Sequence, residues 1–411
     1  MRLKGVQNYL ERVDSARHTL LEKELQNEYN HILFQEEMLW HQKSREKWIK
    51  FGDRNSSFFH AQTIIRRKKN RIHGLQLPNG TWTSDDTILQ DEAQKYFKNL
   101  LANTQPHQNR TFNFGPHPTI VEPSKISLTS TITKTEVFNA LNSMKPYKAP
   151  GPYGFQCIFF KQYWHIVGDD IFHLVQSAFQ NGHFDPKISS TLIALIPKID
   201  SPNTFKDLRP IILCNIIYKI ITIVLVHRLR PILNNIIGPY QSSFLPSRGT
   251  SDNSIVLQEI VHFPRPSHDL CQGDPLSPYL FILCMEKLSV AISSAVLQGE
   301  WEPIQITNNG PQISHLFFAD DVLLFIKAKN AQIRFVADLF DRFSKASGLK
   351  INLSKSRAFY STGTPQRKIS SLTSISGIRN TSSLDRYLGF PIIKGRTKRS
   401  DFFFIIEKNA H

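Results

Sequence analysis

The chain has 411 residues, and its 40% hydrophobic and 11% aromatic content is that of a folded protein, which excludes a disordered chain. Its 50 Lys and Arg against 34 Asp and Glu give a net charge of +16, which favours a polyanionic partner. The cysteines are Cys157, Cys214, Cys271 and Cys284. Their spacing fits neither a zinc site nor a disulfide framework. We therefore expect an intracellular protein, in nucleus or cytoplasm, that is not secreted and has no membrane span.

Residues 1–101 are predicted to form a helical, basic region. Apolar residues between Leu21 and Trp40 recur at helical spacing, which favours an amphipathic packing helix. A basic run follows and comprises Arg66, Arg67, Lys68, Lys69 and Arg71. It suits a nucleic-acid surface, where positive charge tracks phosphate, although a solvated helix face or a localisation signal has the same composition. Residues 102–131 are rich in Pro, Asn and Thr and are predicted to be a linker.

The middle of the chain alternates helical and extended patterns. The predicted elements are a helix over Thr133–Met144, a basic loop over Lys145–Gly154, helical structure over Phe155–Gln180, a strand over Thr191–Pro197 and a buried helix over Ile211–Val226. Lys198 and Arg209 flank a turn, as two cations facing a phosphate do in a hairpin. Two ordinary surface cations would give the same pattern.

After residue 250 the pattern predicts a helix over about Ser251–Val261 and then a short irregular join. The predicted elements that follow are a helix over Tyr279–Val296 after a polar turn at Gln272 and Gly273, a helix over Ala331–Ala346 that ends at Gly348, and a strand over Leu349–Leu353. Gly273 permits a ligand to approach the backbone closely.

Two apolar runs meet at a pair of carboxylates within residues 315–326. Runs that are apolar throughout favour strands buried on both faces, so a hairpin with Asp320 and Asp321 at its tip is predicted. Adjacent acids resist burial, and a divalent cation relieves that conflict. Ordinary turn chemistry is the alternative interpretation.

These motifs, in this order, resemble motifs B, C, D and E of reverse transcriptases, most closely those of non-LTR (LINE-type) retrotransposons of plants. The matching segments are Gln272–Pro278, Phe318–Asp321, Ser347–Ser356 and Tyr387–Gly389, with further matches at Lys148–Pro152, Leu195–Lys198, Arg209–Ile211 and Pro239–Ser242. The resemblance runs from about Gln35 to about Lys408. It implies an α+β, right-hand polymerase fold with fingers and a ferredoxin-like antiparallel palm sheet, preceded by the helical basic region.

The resemblance also implies a domain plan. The fingers and the start of the palm would occupy residues 132–261, a junction 262–271, palm motifs B, C and D 272–360, and motif E with a truncated C-terminal region 361–411. The implied partners are an RNA template and a DNA primer, and the implied cofactor is Mg²⁺. The sequence pattern does not indicate an oligomeric state.

Each motif implies roles for particular residues. The motif C metal ligands and catalytic carboxylates would be Asp320 and Asp321, and the nucleotide contacts would be Arg209, Lys198, Gln272 and Gly273. The motif D lysine would be Lys355 or Lys350, and the primer grip would be Tyr387, Leu388 and Gly389. The basic run, Arg66 to Arg71, would contact nucleic acid.

Three departures from the family pattern favour an impaired enzyme. The motif A strand and its aspartate are missing between Val261 and Cys271, where Asp269 is the one acid and two prolines argue against a central strand. Tyr153 stands where the family has Asp, and Cys271 where it has Arg. We also expect the upstream endonuclease and downstream thumb regions to be missing. The hypotheses are therefore an RNA-directed DNA polymerase, an inactive remnant that only binds RNA, and a poorly folding product without function.

Overall fold

The computed structural model of the chain describes residues 2–44, 56–101, 118–249, 273–305, 310–361, 363–381, 386–387 and 390–391. Helices and small two-stranded sheets, most of them antiparallel, make up the described residues. The α+β class is thereby confirmed, while fingers and a ferredoxin-like palm stay a prediction. The chain divides into two compact units, Met1–Leu101 with Leu195–Pro210, and Ala102–Ala194 with Ile211–His411.

The first unit contains the basic region and the tip of a later hairpin. Its elements are α1 (Arg2–Leu10), α2 (Ala16–Ser44), α3 (Ser56–Asn70), β1 (Leu75–Gln76), β2 (Trp82–Thr83) and α4 (Asp86–Leu101). Leu75, Phe205 and Leu208 are buried together, and the Tyr96 ring stacks on Phe205 with centroids 5.5 Å apart. Residues 195–210 therefore supply core side chains to this unit.

Helices dominate the first half of the second unit. They are α5 (Glu122–Thr129), α6 (Lys134–Ser143), α7 (Cys157–Gln162), α8 (Trp164–Asn181), α9 (Pro186–Ser189) and α10 (Ile216–Ile236). The helix predicted from Thr133 is confirmed, and Thr133 and Glu136 form a capping box at its start. The predicted linker, residues 102–131, contains α5, whose early proline occupies a position that helices accept. Residues 102–117 lie outside the described residues.

The hairpin of β3 (Thr191–Pro197) and β4 (Leu208–Cys214) leads into α10. The strand predicted at Thr191–Pro197 is confirmed. The helix predicted over Ile211–Val226 is wrong at its start, because Ile211 to Cys214 belong to β4 and the helix begins only at Ile216. A short apolar run does not distinguish a strand from a buried helix by its period.

The second half of this unit surrounds the carboxylate hairpin. Its elements are α11 (Ser277–Leu297), β5 (Ile304–Gln305), β6 (Gln312–Ile313), β7 (His315–Phe318), β8 (Asp321–Leu324), α12 (Asn330–Ser347), β9 (Arg357–Ala358), α13 (Gln366–Ser376), β10 (Arg379–Asn380), β11 (Arg386–Tyr387) and β12 (Phe390–Pro391). Buried side chains of α11, α12 and the hairpin form one core. The strand predicted over Leu349–Leu353 is absent from this part of the described chain, where Leu353 remains 46% exposed.

One described helix, α11, is long and apolar enough to cross a membrane by length and composition alone. Half of its apolar window is buried inside the structure, in the core that it shares with the hairpin. Because core helices meet the same criterion, this observation is weak evidence for a membrane span.

Candidate active site

The carboxylates lie at the tip of the predicted hairpin, which the structure confirms. His315 to Phe318 pair antiparallel with Leu324 to Asp321, so Ala319 and Asp320 form a two-residue turn. Ala319 has φ +52°, and a positive φ at the first turn position is typical of a type II′ hairpin, which usually has glycine there. Asp320 and Asp321 are both partly buried.

A buried glutamine reaches this turn from a distant segment. Gln241 Oε1 accepts hydrogen bonds from the backbone N–H of Ala319 at 3.2 Å and of Ser243 at 2.9 Å. The segment also pairs with β7 through a parallel bridge between Gln241 and Phe317. The sequence pattern predicts no role for Gln241, although it lies within the family match at Pro239–Ser242.

A buried carboxylate and an arginine flank the same segment. Arg248 donates to the carbonyls of Ile237, Gly238 and Gln241 at 3.2, 2.5 and 2.8 Å. Glu286 on α11 is 7% exposed, and burial raises its pKa to about 7, opposed by the Gly238 N–H and the charge of Arg248. Among the described residues, Glu286 Oε2 has no hydrogen-bond partner.

The first residue of β7 is a neutral, fully buried histidine. His315 Nε2 lies 2.8 Å from the Ser289 hydroxyl on α11, and Nδ1 lies 2.9 Å from the Ser314 hydroxyl. Burial lowers the pKa of His315 to about 3, so the ring stays uncharged at neutral pH. It therefore anchors the hairpin to α11 through polar contacts and is not an exposed acid or base.

The motif B turn packs against the strand that continues from Arg209. Gly273 has φ +131°, and a Cβ built on it would lie 2.1 Å from the carbonyl oxygen of Ile212 on β4. Only glycine fits this close approach without movement. Gln272 lies outside the described residues.

The other nucleotide-binding candidates, Lys198 and Arg209, belong to the first unit. Both are exposed, and the Lys198 N–H donates to the Asp207 carbonyl at 2.8 Å. The two cations therefore flank one hairpin turn, as predicted, and their contact with a triphosphate stays a prediction.

The motif D and motif E candidates lie in the second unit. Lys350 and Lys355 are both exposed, and Lys355 lies in a turn where its N–H donates to Asn352. Tyr387 pairs with Phe390 in an antiparallel register that fits a hairpin. Leu388 and Gly389, the residues between them, lie outside the described residues.

The loop that departs from the family pattern at Tyr153 is docked on the start of α10. The Tyr153 N–H donates to Asn215 Oδ1 at 3.1 Å, and the amide of Asn215 donates to carbonyls that include Ile188 at 3.1 Å. A Cβ on Gly151 would lie 2.4 Å from the backbone nitrogen of Asn215. The Tyr153 side chain is 48% exposed, so the loop accepts tyrosine without burying it.

The basic run lies at the C-terminal end of α3. Arg67, Lys68, Lys69 and Arg71 are exposed, and Arg66 is partly buried. Lys69 lies 3.8 Å from Asp200 in a pair that is exposed on both sides, and exposed pairs of this kind stabilise little. The charge of the run is therefore presented to solvent, where a phosphate backbone can contact it.

The donor set for a metal is incomplete among the described residues. Carboxylates are ligands that Mg²⁺ prefers, and Asp320 and Asp321 supply two from one hairpin. Within the described ranges, no group of three or more His, Cys, Asp or Glu side chains is placed to hold an ion. Asp269, the acid of the 262–271 junction, lies outside them. The two aspartates therefore fit one side of a metal site.

Comparisons with known proteins agree with the motifs. Residues 265–392 match the family Reverse transcriptase (RNA-dependent DNA polymerase). The chain is 28% identical over 224 residues to the Transposon TX1 uncharacterized 149 kDa protein of Xenopus laevis, covering 54% of this chain and 17% of that protein. It is 59% identical over 56 residues to an uncharacterized mitochondrial protein of Arabidopsis thaliana, covering 14% of this chain and 46% of that protein. The chain thus spans less than half of either relative. The family match confirms the resemblance to reverse transcriptases for residues 265–392.

Proposed function

We propose, from the match of residues 265–392 to the reverse transcriptase family, that the chain is a LINE-type reverse transcriptase domain with impaired DNA synthesis. The observation that carries the proposal is the hairpin tip, where Ala319 and Asp320 form the turn and Asp321 begins β8. Transposon-encoded sequence resembles the chain over 224 residues, which supports the retrotransposon origin.

The reaction of such a domain is templated nucleotidyl transfer. The 3′-hydroxyl of a DNA primer attacks the α-phosphate of a nucleotide in line, and pyrophosphate leaves. The chemistry that bound Mg²⁺ supplies is stabilisation of charge on the attacking and leaving oxygens. Asp320 and Asp321 would hold the ion. Arg209 and Lys198 would bind the triphosphate, and Lys355 or Lys350 would give a proton to the leaving pyrophosphate.

Impairment follows from the ligands that the sequence lacks. A two-metal site needs carboxylates on both sides of ions about 3.5–4 Å apart, and two adjacent residues of one hairpin supply one side. Asp269 is the one acid near the expected motif A position, and Pro264 and Pro266 precede it. Proline removes a strand hydrogen bond, so this segment is a poor replacement for the missing strand.

Primer extension on an RNA template with Mg²⁺ tests the proposal, with Asp320→Asn as the matched control. We expect extension no greater than that of the control. Efficient templated synthesis that Asp320→Asn abolishes would refute the impairment and leave an ordinary reverse transcriptase.

The second candidate is an inactive remnant that binds RNA through its basic surface. The exposed run from Arg67 to Arg71 and the charge of +16 favour it. Each phosphate contact contributes about one unit to the slope of log affinity against log salt. Filter binding should therefore show a steep salt slope that Lys68→Gln with Lys69→Gln reduces by about two.

A charge-matched variant controls that experiment. Lys95→Gln with Lys98→Gln removes two cations from α4 in the same unit, where Lys95 pairs with Glu92 at 2.6 Å. This control should leave the slope nearly unchanged. Binding that is insensitive to salt, or equal losses in both double variants, would argue against the basic run as the RNA surface.

A further inference from the structure

The segment around Gln241 is fixed to the carboxylate hairpin by its backbone. The Phe317 N–H donates to the Tyr240 carbonyl at 2.7 Å, and the Ser242 N–H donates to the Phe317 carbonyl at 3.1 Å. Phe317 itself is fully buried. These two bonds set the register of the segment against β7, so that register does not depend on the Gln241 side chain.

The Gln241 side chain makes a different contact, to the turn itself. It is 1% exposed, and its Oε1 faces the N–H groups of Ser243 and Ala319. With Oε1 held there, Nε2 has no hydrogen-bond partner among the described residues. An unpaired buried donor is unfavourable, and an apolar side chain of the same length would avoid it. The hydrogen bonds that the glutamine side chain makes here are therefore those that Oε1 accepts.

The turn that Oε1 contacts is one that needs support. Ala319 has a left-handed φ of +52°, which is unfavourable for a residue with a Cβ. A hydrogen bond to the Ala319 N–H fixes the peptide between Phe318 and Ala319, which enters the turn one residue before Asp320. The same bond therefore restrains the backbone that carries both carboxylates.

Arg248 holds the segment that supplies Gln241. Its guanidinium donates to three carbonyls within residues 237–241, including that of Gln241 at 2.8 Å. Hydrogen bonds from a charged donor are stronger than neutral ones. Arg248 thus binds the Gln241 backbone, and the Gln241 side chain in turn binds the Ala319 N–H.

We propose that Gln241 is a positioning residue, which sets the conformation of the Ala319–Asp320 turn and thereby the placement of Asp320 and Asp321, with Arg248 holding Gln241 in place. The use of the two carboxylates rests on the proposed function. The restraint on the turn does not depend on it.

Two variants of the full chain, Gln241→Met and Gln241→Glu, separate the acceptor from the side-chain volume. Methionine keeps the length and removes the acceptor, whereas glutamate keeps an acceptor oxygen. Gln332→Met is the matched control, because Gln332 is also buried and its Oε1 also accepts a backbone N–H, from Glu302 at 2.9 Å. The Ala319 amide signal is observed after alanine-selective ¹⁵N labelling and is assigned by its loss in Ala319→Gly.

Hydrogen exchange of the Ala319 amide is the first measurement. Gln241→Met should accelerate it about fivefold beyond the change in Gln332→Met, as expected for one lost net hydrogen bond. Gln241→Glu should restore most of the protection. Equal exchange in Gln241→Met and Gln332→Met, or no restoration by glutamate, would overturn the proposal.

Mn²⁺ binding is the second measurement, followed by paramagnetic broadening of the Ala319 amide. If the carboxylates bind the ion, Gln241→Met should weaken binding severalfold, and Gln332→Met should not. Unchanged Mn²⁺ affinity in Gln241→Met would overturn the link to the carboxylates. A wild-type chain that shows no broadening would count against the proposed function, and the exchange measurement would still decide the role of Gln241.

Discussion

Arg228 on α10 holds the carboxylate of Glu136 on α6 with two hydrogen bonds, Nε to Oε1 at 2.8 Å and Nη2 to Oε2 at 3.0 Å. The Arg228 side chain is 7% exposed. It also donates to the carbonyls of Leu128 and Ser130 at the end of α5. The side chain thus joins three helices of the second unit.

Arg228→Met should destabilise the chain by about 2–3 kcal/mol, because it leaves a partly buried carboxylate and several carbonyls without their donor. Urea unfolding followed by circular dichroism measures this. Lys134→Met is the control, since the Lys134–Asp169 pair is exposed on both sides and should contribute less than about 1 kcal/mol. Equal losses of stability in the two variants would contradict the role of Arg228 in joining the three helices.

The raised pKa of Glu286 predicts that its contribution to stability decreases as the pH rises. Its folded pKa is raised from 4.5 to about 7 by burial, so the folded state binds a proton that the unfolded state releases between these values. The contribution of Glu286 to the unfolding free energy therefore falls as the pH rises from 4.5 and levels off above about 7. Glu286→Gln should be more stable than wild type by about 3 kcal/mol at pH 8 and nearly equal at pH 4.5.

Unfolding free energies from pH 4.5 to 8.5, compared between wild type and variant, measure the Glu286 effect. Glu300→Gln, at an exposed position just after the same helix, should follow the wild-type curve. A constant difference between Glu286→Gln and wild type across this range would show that Glu286 is charged in the folded state throughout.

Gly273→Ala, which adds one methyl group to the motif B turn, should destabilise the chain strongly. The added Cβ meets the Ile212 carbonyl at 2.1 Å and sits at a positive φ, which together should cost at least about 2–3 kcal/mol or displace the turn. Gly299→Ala isolates the cost of the positive φ, because Gly299 has φ +75° with no atom within 4 Å. Its cost should be about 1 kcal/mol. Thermal melts of both variants provide the comparison, and similar melting temperatures would argue against the contact with Ile212.

Ser289→Ala tests the polar anchor of β7. The substitution leaves His315 Nε2 without its 2.8 Å partner in a fully buried site, which should cost about 1–3 kcal/mol. Ser294→Ala on the same helix removes only a 3.4 Å exposed bond with Gln298 and should be neutral within about 0.5 kcal/mol. Both changes alter helix propensity equally, so their difference in denaturant midpoint isolates the histidine contact. No difference would mean that the hydroxyl contributes nothing.

Local patterns predict the elements that carry the candidate site, but they do not predict the contacts that hold it. The Asp320–Asp321 hairpin and the helix ending at Gly348 follow from apolar runs and glycine capping. The bond from Ala319 to Gln241 spans 78 residues of sequence, and that from Arg228 to Glu136 spans 92. The hydrophobic periodicity of a segment does not indicate such distant partners. Within its own segment, a residue that bonds to a distant one cannot be distinguished from any other polar residue.

The most direct test of an impaired reverse transcriptase domain is single-turnover extension of a prebound primer on an RNA template. The chain is first saturated with labelled primer–template, and nucleotides, Mg²⁺ and a competitor trap are then added together. We predict that the primer–template is bound, and that the bound primer is extended no more than by the variant with Asp320→Asn and Asp321→Asn. Templated extension of the bound primer that the double variant abolishes would contradict the impairment, and failure to bind primer–template at low salt would contradict the assignment as a nucleic-acid-binding reverse transcriptase domain.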